Sequence, residues 1–227
     1  MLDVRGLNAG YGRARVLFDV AFAVAGGEVL ALLGRNGAGK STTMKSLVGL
    51  IRDRQLQATL DGVRIDALPT HRIARQGLAY VPEDRRIFTD LTVRENLDLA
   101  RRPARPDAAA WTVERVLRLF PELAPLLERL GGRLSGGEQR MLALSRALMG
   151  NPRALLLDEP AEGLAPVVAS RLIGTLRELR DQGLAIVLSE QGPAFARRIA
   201  DRACLLQRGR VVASGSFEDI RSQYALE

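Results

Sequence analysis

The 227-residue chain is poor in several residue types that mark particular classes of protein. It has one cysteine, Cys204, which excludes an internal disulfide framework and fits a reducing compartment. No apolar stretch approaches the roughly 18 residues of a membrane span, and the N-terminal segment MLDVRGLNAGYG has no signal-peptide hydrophobic region. We therefore expect a cytosolic protein that reaches a membrane only through a partner.

Lysine and histidine are also scarce. Of the 33 basic residues only Lys40 and Lys45 are lysines, and His71 is the single histidine. The net charge of +7 permits nucleic acid or anionic lipid as a partner, but the basic residues are spread along the chain rather than clustered. The hydrophobic content of 47% is sufficient for one large domain with a buried core.

Strand-like and helix-like segments alternate along most of the chain. The first 25 residues have the period-two pattern of paired strands, and a hairpin is predicted about Asp61-Gly62. Continuous apolar strands are predicted at 28–34, from 77 onward, at 154–159 and at 184–190, with short strands ACLLQ and RVVAS near the end. Helices are predicted at 40–50, 166–181 and near 194–200. Interleaved strands and helices imply parallel pairing in a three-layer α/β core.

The middle of the chain is helical instead. Residues 93–149 carry helix-period apolar residues, interrupted by the Pro/Ala-rich segment RRPARPDAAA. We interpret this block as an inserted subdomain. The prediction is one domain over 1–227, with a core and β subdomain formed by about 1–90 and 150–227 and a helical subdomain at about 91–149.

A phosphate-binding loop is predicted between an apolar strand and a helix. The segment GRNGAGKS matches G-x-x-x-x-G-K-[ST] at every specified position. Its glycines let backbone N–H groups point at phosphate oxygens, Lys40 reaches the β- and γ-phosphates, and Ser41 offers a hydroxyl to Mg²⁺. The predicted ATP-binding residues here are Gly34, Arg35, Asn36, Gly37, Ala38, Gly39, Lys40, Ser41 and Thr42.

Two adjacent carboxylates follow the strand ALLLDE. Because ligands of open α/β sheets lie at the carboxyl ends of the strands, Asp158 and Glu159 are expected at the same site as the loop. Asp158 is predicted to hold Mg²⁺ together with Ser41. Glu159 is predicted to orient the attacking water or accept its proton.

A further glycine-rich segment, LSGGEQR, precedes a predicted helix. Ser135, Gly136 and Gly137 present a hydroxyl and bare amides at the helix N-terminus, which is an anion receptor, and Glu138 lies in the first turn. With the two motifs above, in this order, the chain resembles the ATP-binding subunit of ABC transporters. The resemblance implies a P-loop NTPase fold of the ABC ATPase type, with an N-terminal antiparallel β subdomain and an inserted helical subdomain.

That resemblance assigns roles to residues that motifs alone do not. It implies that the Ser135 segment grips the γ-phosphate bound to a second ABC ATPase subunit, and that Tyr11 stacks on adenine. Gln191 stands where most such ATPases have a histidine that contacts the γ-phosphate, so it donates an amide N–H but carries no charge. Glu83 stands where the family usually has a glutamine near Mg²⁺. The segment AEGLAP lacks the serine and aspartate that often follow the two acids.

A narrower set of segments is similar to the ATPases of bacterial branched-chain amino-acid importers, the Liv group. These segments are VPEDRRIF, LTVRENL, LFPEL, LSGGEQRMLALSRALMGNP, GLAP and the EQ pair at 190–191. The resemblance implies an ATPase peripheral to the inner face of the cell membrane. Its implied partners are a second ATPase, identical or different, two transmembrane permease subunits and, indirectly, an extracytoplasmic binding protein, with no nucleic acid.

Three alternatives to that interpretation stay open at this point. The first is the ATPase of a urea, amide or other ABC system. The second is a non-transport ABC ATPase acting on nucleic acid or ribosomes, which usually has two nucleotide domains or a long coiled coil. The third is a non-hydrolysing module, suggested by Gln191 and by the AEGLAP segment, although Lys40, Ser41, Asp158 and Glu159 are all present.

Overall fold

The central feature of the computed structural model, which describes residues 1–103 and 109–224, is a six-stranded sheet. Its strand order is β10-β9-β3-β8-β7-β6, and all neighbours are parallel except the antiparallel edge pair β9-β10. The strands are β3 (Val29–Leu33), β6 (Leu78–Val81), β7 (Ala154–Asp158), β8 (Ala185–Glu190), β9 (Arg202–Gln207) and β10 (Arg210–Ser216). The predicted parallel α/β core is confirmed.

A second sheet is antiparallel and built mainly from the N-terminal segment. Its order is β2-β1-β4-β5, and Asp61 and Gly62, both with positive φ, form the predicted hairpin turn between β4 and β5. The strands are β1 (Leu2–Tyr11), β2 (Ala14–Val24), β4 (Arg54–Leu60) and β5 (Val63–Arg64). This sheet covers one face of the central sheet.

The strands of the central sheet are apolar on both faces because both faces are covered. In β3, Leu30 and Leu32 pack in a core with the antiparallel sheet and the first helix, whereas Ala31 and Leu33 pack in a core with the helices of the middle segment. All five residues of β3 are buried. Burial on both faces explains why β3 and β7 appear in the sequence as continuous apolar runs.

Eight α-helices are described in residues 1–103 and 109–224. They are α1 (Lys40–Leu47), α2 (Thr70–Gln76), α3 (Val93–Ala100), α4 (Val113–Leu119), α5 (Gly136–Met149), α6 (Pro166–Asp181), α7 (Pro193–Ala196) and α8 (Phe217–Gln223). Short 3-10 turns occupy Pro121–Leu126 and Gly131–Arg133. None of these helices is long and apolar enough to cross a membrane.

Two helix predictions differ from the structure. The first helix ends at Leu47 rather than at residue 50, because Gly49 adopts φ +78° and turns the chain. The helix expected near 194–200 has only four residues, and α8 was not predicted. The segment RRPARPDAAA lies partly outside the described residues, and the domain division stays a prediction.

Candidate functional site

The loop between β3 and α1 has glycines where other residues do not fit. A Cβ at Gly34 would lie 2.5 Å from the carbonyl oxygen of Leu206, and one at Gly39, whose φ is +111°, would lie 2.6 Å from a methyl of Leu17. Both positions therefore require glycine on steric grounds. The loop is held against the turn between β9 and β10, where the Gly209 amide donates to the Ala38 carbonyl at 2.9 Å.

Lys40 lies buried at the start of α1 with its ammonium aimed back into the loop. Only 4% of the residue is exposed. Its Nζ donates to the Gly34 carbonyl at 2.7 Å and pairs with Glu159 Oε1 at 3.1 Å. The structure therefore brings the loop lysine and the predicted catalytic carboxylate into direct contact, although 119 residues separate them in the sequence.

Asp158 receives three hydrogen bonds at the end of β7. Ser41 Oγ and Ser189 Oγ donate to its Oδ1 at 3.0 and 2.7 Å, and the Tyr80 hydroxyl donates to its Oδ2 at 2.9 Å. Burial, followed by the negative charge of Asp158, raises the pKa of Tyr80, so its hydroxyl stays protonated and acts as donor. Sequence motifs indicated Ser41 and Asp158. They did not indicate that Tyr80 and Ser189 converge on the same carboxylate.

Glu159 has an unusual backbone conformation for a residue with a side chain. Its φ is +47°, in the left-handed region. The Glu159 amide donates to Ser189 Oγ at 3.0 Å, and this contact with the neighbouring strand helps to hold the conformation. Ser189 thus orients both acids, since its hydroxyl donates to Asp158 and accepts from Glu159.

A cleft of about 450 Å³ opens over the phosphate loop. It is lined by Val16, residues 36–42, Glu83, Glu159 and Glu162. Burial, and then the charges of Glu83 and Glu159, raise the pKa of Glu162 above its usual value. Glu162 was not among the predicted site residues, and the signal for it in the sequence was its position three residues after Glu159.

Glu190 is a buried carboxyl next to this cleft. It is 8% exposed, its Oε1 accepts from the Ala161 amide at 3.4 Å, and burial raises its pKa to about 7. The charge of Glu159 acts in the same direction, whereas Lys40 and Arg140 oppose it. Glu190 was noted in the sequence only as the neighbour of Gln191.

The raised pKa of Glu190 predicts a pH-dependent stability. A carboxyl whose pKa rises from about 4.5 in the unfolded chain to about 7 in the folded chain stabilises the fold at low pH, and this contribution is lost as the pH rises from 4.5 through 7. Glu190→Gln has no titrating carboxyl, so it should not lose stability over this pH range. We expect the difference in the free energy of unfolding, variant minus parent, to be on the order of 1 to 3 kcal/mol more positive at pH 8 than at pH 5, so the variant gains stability at the higher pH.

Denaturant unfolding at the two pH values would measure this difference. Glu128→Gln is the matched control, because the Glu128 side chain is 76% exposed and its ion pair with Arg94 lies at the surface. Equal pH dependence in Glu190→Gln and the parent would contradict the assignment.

Gln191 and Arg35 lie on the other side of the loop. Both are exposed and line a cavity of about 630 Å³, together with Pro193 and the turn between β9 and β10. Asn36, Gly37 and Ala38 are shared between this cavity and the cleft. Within the described part of the chain, Gln191 does not line the 450 Å³ cleft.

Tyr11 and the Ser135 segment lie at the surface. Tyr11 is 52% exposed, with its hydroxyl 3.5 Å from Thr42 Oγ1, so its ring is available at the rim of the loop. Ser135 caps α5 in a capping box with Glu138, whose amide donates to Ser135 Oγ at 3.3 Å. In the described part of the chain, residues 135–138 do not line the cleft over their own phosphate loop.

The fold and the loop together define a class of protein. A phosphate loop joins a buried parallel strand to a helix, and an aspartate at the end of another parallel strand meets the serine of that loop. This is the arrangement of P-loop nucleotide-binding ATPases.

Comparison with known proteins identifies the family within that class. The ABC transporter family matches residues 17–162. The chain is 41% identical over 212 residues to the high-affinity branched-chain amino acid transport ATP-binding protein BraG of Pseudomonas aeruginosa, covering 93% of this chain and 91% of BraG. It is 38% identical to the probable branched-chain amino acid transport ATP-binding protein LivF of Archaeoglobus fulgidus, covering 97% and 94%.

Two further comparisons extend this result. The lipopolysaccharide export system ATP-binding protein LptB of Haemophilus influenzae is 34% identical, covering 97% of this chain and 92% of LptB. A solved ATP-binding subunit of an ABC transporter superposes with a TM-score of 0.83 at 34% identity, covering 100% of this chain and 94% of that one. The chain belongs to the ABC transporter family as an ATP-binding subunit. It is an ATP-hydrolysing transport ATPase, and the predicted family and fold are confirmed.

Proposed function

We propose that this ATPase energises a bacterial importer of branched-chain or closely related amino acids. The observation that carries the proposal is the likeness to BraG and LivF, at 41% and 38% identity over nearly the whole chain. The same importer group is indicated by the EQ pair at 190–191 and by the GLAP segment. The 34% identity to LptB favours export of lipopolysaccharide as a second candidate.

The loop, Tyr11 and the two acids support a division of tasks at the nucleotide. The amides of residues 34–39 and the Lys40 ammonium would hold the phosphates, with Tyr11 against the adenine. The Ser41 hydroxyl and the Asp158 carboxylate are hard oxygen ligands that share a hydrogen bond of 3.0 Å, and this pairing suits Mg²⁺, which binds few protein ligands and completes its shell with phosphate and water. When bound, Mg²⁺ neutralises developing charge on the phosphates.

The ion pair between Lys40 and Glu159 gives the mechanism an order of events. A γ-phosphate competes with Glu159 for the same buried ammonium. Release from Lys40 leaves the Glu159 carboxylate free to accept the proton of the attacking water, while the water oxygen forms its bond to phosphorus and the bond to ADP breaks. Glu83 lines the same cleft and is the proposed contact near Mg²⁺. Gln191 is proposed to donate to a phosphate oxygen from the other side of the loop.

A second ATPase subunit is proposed to complete the site. Residues 135–138 form an anion receptor at the N-terminus of the 14-residue helix α5, but they lie away from the cleft of their own chain. The Ser135 segment of a second subunit, identical or different, would supply that receptor. Two nucleotides would then be held between two chains.

A separate cleft supports docking of a permease subunit. It has a volume of about 260 Å³ and lies between β6 and α5, with Arg85, Arg86 and Arg146 among its lining residues. Phe88 beside it is 45% exposed and lies 4.5 Å below the Arg146 guanidinium. Among the described residues, the buried Nε atoms of Arg85 and Arg146 have no hydrogen-bond partner. We propose that one of two permease subunits docks here, which places the ATPase on the cytoplasmic membrane face.

Measurement of amino-acid uptake in cells tests which solute is transported. In a strain whose chromosomal copy of this gene is deleted, we expect uptake of labelled leucine, isoleucine and valine to fall at least about 10-fold, because transport depends on the hydrolysis that the Glu159 carboxylate supports. A plasmid copy should restore uptake, and a Glu159→Gln copy should not. Uptake of labelled arginine is the control for general damage. Normal branched-chain uptake together with defective surface lipopolysaccharide would favour the export function instead.

A further inference from the structure

Tyr80 lies between the proposed Mg²⁺ site and the proposed docking cleft. It is in β6, which pairs in parallel with β7, and its hydroxyl donates to Asp158 Oδ2 at 2.9 Å across that pair. The same residue lines the 260 Å³ cleft with Arg85, Arg86 and Arg146. One side chain therefore contacts both the carboxylate proposed to hold Mg²⁺ and the surface proposed to receive a permease.

The two oxygens of Asp158 are held by different donors. Ser41 and Ser189 both donate to Oδ1, whereas Tyr80 is the single side-chain donor to Oδ2 among the described residues. The terminal torsion of an aspartate has a broad energy minimum, so hydrogen bonds decide the plane of its carboxylate. Without the Tyr80 hydroxyl, that plane would be fixed from one oxygen only.

We propose that Tyr80 is a positioning residue of the Mg²⁺ site, whose hydroxyl sets the orientation of the Asp158 carboxylate. Binding of a partner in the arginine-lined cleft would shift the Tyr80 ring and thereby change that orientation. The inference rests on the proposed role of Asp158 and on the proposed docking cleft. Outer-shell partners of this kind typically contribute 10- to 100-fold in metal affinity. Tyr80 acts through Asp158 and does not itself contact nucleotide.

Tyr80→Phe tests the first part because it removes the hydroxyl and keeps the ring, which packs against the core shared with the antiparallel sheet and α1. In the Glu159→Gln background, which limits hydrolysis, the Kd of fluorescent ATP is measured with EDTA and with saturating Mg²⁺. We expect the Kd in EDTA to be unchanged. The coupling ratio is the Kd in EDTA divided by the Kd in Mg²⁺, and it reports how much Mg²⁺ strengthens ATP binding. This ratio should fall about 10-fold in Tyr80→Phe.

Two comparisons make the result decisive. Tyr224→Phe is the matched control, because its hydroxyl donates to the Val212 carbonyl at 3.5 Å and the change should leave the ratio unchanged. A parental ratio in Tyr80→Phe would overturn the inference. Failure of the Glu159→Gln parent to tighten its binding of ATP in Mg²⁺ would instead contradict the proposed Mg²⁺ site itself.

The link to the cleft is tested with a covalent probe. Ala147 lines the cleft, and the single native cysteine, Cys204, is buried, so a maleimide should label Ala147→Cys selectively. We expect the adduct to change the Mg²⁺–ATP coupling ratio when Tyr80 is present and to leave it unchanged in Tyr80→Phe. An adduct with the same effect in both backgrounds, or with none in the first, would overturn the link.

Discussion

Replacement of Glu159 by glutamine is expected to reduce ATP hydrolysis at least about 100-fold, which is the lower range for loss of a general base. The amide keeps the size of the side chain and its place on the left-handed backbone, but it cannot accept a proton. Affinity for ATP should not fall, because the parent carboxylate competes with phosphate for Lys40 at 3.1 Å. Steady-state turnover and equilibrium ATP binding measure the two effects separately.

Glu162→Gln is the matched control for that experiment. Glu162 lines the same cleft and lies three residues away, but within the described part of the chain the ion-pair partner of Lys40 is Glu159 and not Glu162. Its replacement should reduce turnover far less than that of Glu159. Full hydrolysis by Glu159→Gln, or equal losses in the two variants, would remove Glu159 from the role of base. With its partner subunit present, Glu159→Gln should also accumulate an ATP-bound pair of subunits, detectable by light scattering.

The second large effect is expected from Lys40→Met. This change removes the buried Lys40 ammonium from the cleft and leaves Glu159, whose side chain is 12% exposed, without that partner. A hydrogen bond to a charged group contributes about 1.5 to 3 kcal/mol. ATP affinity should therefore fall roughly 10- to 150-fold, which isothermal titration or fluorescent-nucleotide binding would measure.

The chain offers a precise control for this substitution in its only other lysine. Lys45 lies in the last turn of α1, away from the described residues that line the cleft. Lys45→Met also removes one positive charge and should leave ATP affinity nearly unchanged. If the two variants lose affinity equally, the effect comes from net charge or from damage to α1, and Lys40 is not the phosphate ligand.

Much of the architecture could be predicted because it depends on local pattern. The apolar runs of β3, β7 and β8 need burial on both faces, and only a covered parallel sheet provides it. The glycines at 34 and 39 were predicted from the spacing of the loop motif, and in the structure a Cβ at either position would clash with Leu206 of β9 or Leu17 of β2. Helix α8 was not predicted because it has only seven residues, too few to show a clear helical period. Its two buried side chains, Phe217 and Ile220, are buried because the helix packs against β9 and β10.

The candidate site was less completely predicted than the fold. Motifs named Ser41, Asp158 and Glu159, and the structure brings these three together with Lys40. Tyr80, Glu162 and the buried Glu190 were given no role in the predicted site. A tyrosine in an apolar strand resembles any core residue, and a carboxyl after a strand resembles any surface acid. Their positions follow from which strands become neighbours.

The sequence by itself determined the class of chemistry, since apolar periodicity and the spacing of glycine, lysine and serine are properties of short segments. Tertiary structure alone decided which charges meet. The pairing of Lys40 with Glu159, the three donors on Asp158 and the pKa of Glu190 arise where separate strands end at one edge of the sheet. Electrostatic energy depends on distance and burial in space, and neither can be read from separation along the chain.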